Sequence, residues 1–226
     1  MFRPEDIELA RQIVSVLDLP DLIGEDEEIE YIIERQLEDV VEGDYYVTSG
    51  VSKAVIIIES LPFVIKIPFN GYWYDGDNDD DEEEIDRGFE YFTGANEIFP
   101  DDYCFDELQK TLMIEERGFG MFAPHMEFLC SIDDRSFYIQ GKARPLCESK
   151  KDITPSGDSM RKAKNYCLSF VDEWIALAID CYGEETWNEF VQWATEESLF
   201  GDMHSGNYGI DMAGRPVIFD ISGFRE

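Results

Sequence analysis

The chain has 226 residues, of which 44% are hydrophobic and 14% aromatic, so it can bury a core and is not generally disordered. Its 51 acidic residues outnumber 18 basic ones, and a net charge of −33 argues against direct binding to nucleic acid or anionic membranes. No apolar run is long enough to span a membrane, and the first residues lack the features of a signal peptide. We therefore expect a soluble, cytoplasmic protein.

The first half of the chain predicts helices followed by strands. Apolar residues recur at helical spacing over residues 5–17 and 26–41, which predicts a helical extension over residues 1–44. The next three apolar runs, rich in β-branched and aromatic residues and separated by turn residues, predict a meander of antiparallel strands. They cover residues 45–49, 51–59 and 61–68.

An acidic segment interrupts this pattern. Nine of the twelve residues in 75–86 are acidic, a low-complexity composition that predicts a loop. Residues 87–98 and 105–117 then indicate helices, and residues 134–144 indicate a strand that leads into a linker.

The last third predicts two long amphipathic helices between Asp158 and Ser198, with tryptophans that pack in the core. The pattern of residues 199–222 predicts a loop, a strand, a turn, a second strand and a final loop. The order of helices, strands, helices and a terminal hairpin predicts an α+β fold.

The terminal hairpin carries the residues with the clearest chemical meaning. Asp202 and Asn207 lie in one loop, and Asp220 follows an apolar strand. A hairpin that turns at residues 212–214 brings Asp220 back beside Asn207. Two carboxylates and a carboxamide then provide the oxygen ligands that Mg²⁺ and phosphates require, with Asp202 left to orient or deprotonate a hydroxyl.

Residues 201–207, Gly-Asp-Met-His-Ser-Gly-Asn, resemble the G-D-x-H-x-x-N catalytic loop of the protein-kinase-like superfamily. The match is closest to the aminoglycoside-phosphotransferase and atypical-kinase branches, and the separation of 18 residues between Asp202 and Asp220 is also usual there. The resemblance implies that Asp202 is catalytic and that Asn207 and Asp220 bind Mg²⁺. The whole chain resembles compact kinase-like proteins that some bacteriophages encode, which would place it in the host cytoplasm.

The resemblance extends upstream to the nucleotide-binding residues. Lys66, in an apolar strand, resembles the lysine that contacts the nucleotide phosphates, although it could instead be an edge-strand lysine that points to water. Gly50 and Lys53 lie where the family has its phosphate-covering loop. Gln140 to Lys142 lie where the family has a hinge whose backbone groups contact adenine, so the resemblance implies ATP as the cofactor.

The family also pairs the strand lysine with a glutamate on a regulatory helix. The helix predicted over residues 87–98 supplies Glu90 as our candidate and Glu97 as the alternative.

The fold that the resemblance implies is bilobal. Residues 45–140 would form an antiparallel-sheet N-lobe, and residues 141–226 a truncated, mainly helical C-lobe. Two features depart from the family: Phe200 replaces a histidine ahead of the catalytic aspartate, and the chain ends at Glu226. We therefore expect no activation segment and none of the helices that hold a peptide substrate.

Two functions are compatible with these features. The first is a minimal phosphotransferase that depends on ATP and Mg²⁺, with an acceptor that the sequence does not identify. The second is a pseudokinase with weak or no catalysis, whose acidic surface binds and inhibits a basic partner such as a nucleic-acid-binding protein. A nucleotide-bound scaffold that presents an acidic face would combine the two.

Overall fold

A computed structural model describes the chain except for residues 20–21, 24–28, 51, 69, 76–86, 93–102, 134, 202 and 222–226. The protein is α+β, as predicted, and contains antiparallel strands. It divides into two compact units: residues 1–105 with 127–140, and residues 106–126 with 141–226. None of the described helices has the length and apolar character needed to cross a lipid bilayer.

The first unit begins with helices and continues as sheets. Its elements are α1 (Pro4–Val14), β1 (Leu22–Ile23), α2 (Ile29–Leu37), β2 (Tyr45–Ser49), β3 (Lys53–Ile58), β4 (Phe63–Pro68), β5 (Asn70–Asp75), β6 (Arg87–Phe92), β7 (Met126–Ile132) and β8 (Arg135–Gly141). Strands β2, β3, β4, β8 and β7 form a five-stranded sheet in that order, and β1, β6 and β5 form a three-stranded sheet. The meander of β2, β3 and β4 is antiparallel, which confirms the prediction.

Helices α1 and α2 cover one face of the five-stranded sheet. Their buried residues join one hydrophobic cluster with alternate residues of the strands, among them Ala10, Ile13, Ile33, Leu37, Ala54, Ile56, Ile58, Phe63, Ile65, Ile67, Phe137 and Ile139. Successive side chains of a strand point to opposite faces, so the residues between these strand positions lie on the other face. The two leading helices are therefore part of the core of the first unit.

The helix predicted over residues 87–98 is wrong for its described part. Residues 87–92 form strand β6, which pairs antiparallel with β5, and residues 93–98 lie outside the described residues. Aromatic residues alternate at Phe89 and Tyr91, a period of two that is typical of a strand. Strand β5 ends at Asp75, and the rest of the acidic segment also lies outside the described residues.

The second unit is mainly helical. It contains most of α3 (Tyr103–Glu116), then β9 (Ala143–Pro145), α4 (Leu146–Ser149), α5 (Gly157–Ala163), α6 (Asp172–Tyr182), α7 (Glu184–Glu196), β10 (Tyr208–Asp211) and β11 (Pro216–Ile218). Helices α6 and α7 are the two helices predicted between Asp158 and Ser198, and the short helix α5 before them was not predicted. Gly183, with φ of 88°, ends α6, since glycine adopts positive φ without steric cost.

Aromatic side chains form the core of the second unit, as the sequence predicts for its tryptophans. Phe122 stacks on Phe190 with ring centroids 4.1 Å apart, and Trp174 contacts Trp187 edge to face at 5.8 Å. The indole Nε1 of Trp174 also donates a hydrogen bond of 2.7 Å to the carbonyl of Gly209. The aromatic core therefore holds α6 against β10 and fixes the position of the terminal hairpin.

Asp180 connects helix α6 to the start of helix α5. Its carboxylate accepts hydrogen bonds from the Ser156 N–H at 2.6 Å and from the hydroxyls of Ser156 and Ser159 at 2.8 Å and 2.6 Å. Ser156 is the N-cap of α5, and its own hydroxyl accepts the Ser159 N–H at 3.2 Å. The bond from the Ser156 amide is the largest of the effects that hold the pKa of Asp180 below its usual value.

We expect Asp180→Asn to lower the free energy of unfolding by about 1 kcal/mol at pH 7, a modest value because the side chain is exposed. The folded-state pKa is depressed, so this stabilisation is present above the unfolded-state pKa of about 3.9 and is lost as pH falls through the folded value. Chemical denaturation of both proteins at neutral and acid pH measures the difference, which should shrink in acid. A difference that stays constant in acid, or one matched by the exposed control Glu189→Gln, would contradict this role.

Candidate functional site

The hairpin of β10 and β11 brings Asn207 and Asp220 together. The strands pair antiparallel, with Tyr208 opposite Ile218, so Asn207 lies next to Phe219 just outside this pair, and Asp220 follows directly. The backbone carbonyl of Asn207 accepts hydrogen bonds from the N–H of Phe219 at 3.0 Å and of Asp220 at 3.2 Å. This is the juxtaposition that the sequence predicts.

The turn of the hairpin is fixed by its first residue, Asp211. One carboxylate oxygen accepts the backbone N–H of Ala213 at 2.9 Å and of Arg215 at 2.8 Å, and the other accepts the Arg215 Nε–H at 2.8 Å. Gly214 has φ of 77°, a conformation that favours glycine. These bonds set the register of the two strands and thereby the pairing of Asn207 with Asp220.

Asn207 and Asp220 fit the chemistry of a magnesium ligand pair. Both offer oxygen donors, and Mg²⁺ is typically bound by one or two carboxylates, several waters and substrate phosphates. Among the residues that the structure describes, no group of three or more His, Cys, Asp or Glu side chains could hold a metal ion. In phosphoryl transfer, Mg²⁺ is also held by oxygens of the nucleotide phosphates.

The predicted catalytic residue, Asp202, lies outside the described residues. The loop that follows it is shaped by His204, whose Nδ1 accepts the N–H of Gly206 at 3.1 Å. The carbonyl of His204 also accepts the N–H of Asn207 at 2.9 Å. His204 thus closes the turn that leads directly into Asn207.

Phe200 contributes apolar packing at the start of the loop. Its ring contacts Phe170 edge to face with centroids 5.1 Å apart, and Phe190 at 5.9 Å. The start of the loop is therefore anchored in the aromatic core, a role that needs no hydrogen-bonding side chain.

In the first unit, Lys66 lies on β4, between β3 and β8 in the five-stranded sheet, and faces Val55 across the strand pair. The residue is only 3% exposed. The alternative interpretation, an edge-strand lysine that points to water, is therefore wrong. A buried ammonium group requires anionic or polar partners.

Lys53 and Gln140 share a face of the sheet with Lys66. The adjacent residues Ala54 and Ile139 belong to the core beneath α1 and α2, so Lys53 and Gln140 point to the opposite face, as Lys66 does. Both residues are buried. The two lysines predicted to bind phosphates and the hinge residue Gln140, whose backbone was predicted to contact adenine, therefore have their side chains on one face of one sheet.

The other predicted nucleotide-binding positions lie in connections. Gly50 is exposed between β2 and β3, and its N–H donates to the Lys53 carbonyl at 3.0 Å. Lys142 is buried between β8 and β9. The N–H of Gly141 at the predicted hinge donates to the His125 carbonyl at 2.9 Å, so this donor is already engaged within the chain.

Glu90 lies on strand β6, opposite Tyr72, so its predicted place on a regulatory helix is wrong, and Glu97 lies outside the described residues. The helix that follows the acidic segment is α3, whose Glu107 is 0% exposed. A fully buried carboxylate requires polar or basic partners, so Glu107 is a functional candidate that the sequence prediction missed. Its signal was its spacing, since the residue shares a helical stripe with the buried residues Cys104, Leu108 and Thr111.

No protein-family model matches the chain, and a search of curated proteins found no match either. The assignment of a function therefore rests on these residues and their geometry.

Proposed function

We propose that this chain is a minimal phosphotransferase that depends on ATP and Mg²⁺ and has a bilobal, kinase-like fold. The observation that carries the proposal is the hairpin that places Asn207 beside Asp220. In the proposal these two residues hold Mg²⁺, and Lys66 holds the nucleotide phosphates. Asp202 orients the acceptor hydroxyl and accepts its proton while the acceptor oxygen attacks the γ-phosphorus and ADP leaves.

Electrostatics supports this division of roles. In a chain with net charge −33, a polyanionic nucleotide is repelled by most of the surface and needs local positive charge. Lys53 and Lys66 supply that charge on one sheet face, and Mg²⁺ would neutralise phosphate oxygens together with Asp220.

Glu107 takes the place of Glu90 in the proposal, as the carboxylate that the family resemblance assigns to the regulatory helix. Its support is its complete burial on α3, the helix that follows the acidic segment.

Transfer of labelled γ-phosphate from ATP tests the proposal. The acceptors offered are the chain itself, small-molecule alcohols and amines, and basic proteins. Labelled product that forms with Mg²⁺ and disappears with EDTA supports the proposal. Absence of both transfer and phosphate release would contradict it.

A second candidate function is the binding of a basic protein, which the exposed side of α7 favours. Helix α7 contains no basic residue. Five exposed glutamates lie on it and just after it: Glu184, Glu185, Glu189, Glu196 and Glu197. A shallow depression between its exposed side chains is lined by Glu184, Glu185, Asn188, Glu189 and Gln192. Charge complementarity suits a partner rich in lysine and arginine.

We expect replacement of Glu184, Glu185 and Glu189 by glutamine to weaken binding of a lysine-rich peptide roughly tenfold at low salt. The matched control replaces three exposed glutamates of the first unit, which changes the net charge equally: Glu8, Glu38 and Glu42. Titration calorimetry at several salt concentrations measures both, and the difference should vanish at high salt. Equal weakening by the two triple variants would assign the binding to overall charge rather than to α7.

A further inference from the structure

Helix α3 directs a lysine to the segment that carries Asp220. The Nζ of Lys110 donates a hydrogen bond of 2.9 Å to the backbone carbonyl of Ile221. It also forms an ion pair of 2.9 Å with Asp106, one turn earlier on the same helix, and both side chains are 23% exposed. These two contacts of the ammonium group are therefore largely shielded from water. Hydrogen bonds and ion pairs in such shielded positions are stronger than those at an open surface.

Asp220 is held from both sides. On its amino side, its own N–H and that of Phe219 donate to the Asn207 carbonyl. On its carboxyl side, Lys110 holds the carbonyl of Ile221, and the side chain of Ile221 is buried in the aromatic core. Because peptide units are planar, fixing the flanking units restricts the backbone of Asp220 and the direction in which its side chain leaves the backbone.

We propose that Lys110 is a positioning residue for the Mg²⁺ site, an inference that rests on the proposed function. It holds the Asp220 carboxylate beside Asn207 through the Ile221 carbonyl. Its pairing with Asp106 balances its charge, so the ammonium group fixes the segment without adding net positive charge next to a bound cation. Groups of this kind behind a metal ligand typically contribute about 10- to 100-fold in metal affinity.

The test compares the affinity of the full-length protein for ATP with and without Mg²⁺, by titration calorimetry. The ratio of the two dissociation constants is the gain that Mg²⁺ confers. We expect Lys110→Met, which keeps the aliphatic stem but removes the donor, to reduce this gain about tenfold. Affinity for ATP without Mg²⁺ should remain unchanged. Lys110→Arg, which keeps a donor, and the exposed control Lys164→Met should retain the gain within about twofold.

The melting temperature without ligand separates positioning from folding. A merely structural contact would lower this temperature and leave the Mg²⁺-dependent gain unchanged. Lys110→Leu, which also removes the donor, provides the same comparison if Lys110→Met does not fold.

Two outcomes overturn the inference in distinguishable ways. A full gain in Lys110→Met, with the gain lost in Asp220→Asn, would refute the role of Lys110 and leave the proposed function intact. No gain in the wild-type protein would refute the proposed function, and the assignment of Lys110 with it.

Discussion

Phosphoryl transfer should fall at least about a hundredfold when Asp220 is replaced by asparagine or Lys66 by methionine. Asp220→Asn keeps the shape of the side chain but removes the charge that a hard cation prefers in its ligands. Lys66→Met keeps the aliphatic stem in the buried strand β4 and removes the ammonium group that would hold phosphates. Initial rates of label transfer from ATP, at saturating Mg²⁺, measure both effects.

Two exposed substitutions control for the chemistry of these changes. Asp158→Asn makes the same change as Asp220→Asn at an exposed position in α5, and Lys164→Met makes the same change as Lys66→Met at an exposed position just after α5. Both variants should retain the wild-type rate. Circular dichroism establishes that each variant is folded. Unchanged turnover in either Asp220→Asn or Lys66→Met would exclude the proposed mechanism.

Gly209→Ala is expected to destabilise the second unit by about 3 kcal/mol or more. A Cβ atom at this position would lie 1.9 Å from the carbonyl oxygen of Arg144 and 2.9 Å from the backbone nitrogen of Leu146. Both are backbone atoms, so relief would require β9 and β10 to separate. The Gly209 carbonyl also accepts the Trp174 indole N–H, so the shift would disturb the aromatic core. Chemical denaturation measures the loss.

Gly157→Ala is the matched control for this substitution. Gly157 is the first residue of α5, and a Cβ added there would meet no atom within 4 Å. Alanine should therefore leave stability equal or raise it by about 0.5 kcal/mol. Similar stability of the two variants would contradict the close approach of β9 to Gly209.

The elements that the sequence predicted correctly depend on local signals. The strands β2, β3 and β4 follow from short β-branched runs between turn residues, and the terminal hairpin follows from an apolar strand on each side of a turn. Hairpin register depends on residues close in sequence, here Asp211 and Gly214, so the approach of Asn207 to Asp220 could be anticipated.

The elements that were predicted wrongly depend on weaker or non-local signals. Residues 87–92 follow a strongly acidic segment and contain Glu90, which favoured a helix, whereas the alternation of Phe89 and Tyr91 and pairing with β5 produce a strand. Helix α5, which was not predicted, has only seven residues, and so short a helix gives a weak periodic signal. Tertiary context overrides helix propensity at residues 87–92.

The candidate site was predictable in its residue types and less so in its arrangement. Lys66 stood out in the sequence as a cation inside an apolar strand, and the structure shows that it is buried in that strand. That Lys53 and Gln140 share its sheet face depends on the register of strands far apart in sequence. The burial of Glu107 depends on what α3 packs against, which the sequence does not show. In a chain with 51 acidic residues, composition also gives no reason to single out one glutamate.

Thermal unfolding with and without ATP and Mg²⁺, for the wild-type protein and Asp220→Asn, tests the central claim most directly. A ligand that binds only the native state, at a hundredfold above its dissociation constant, adds ~2.7 kcal/mol to the free energy of unfolding. For a protein of this size that corresponds to a rise in melting temperature of roughly 5–11 °C. We predict a rise of this order in the wild-type protein that requires Mg²⁺ and is lost in Asp220→Asn. No rise at millimolar nucleotide, or an equal rise in both proteins, would contradict a nucleotide and metal site at this hairpin.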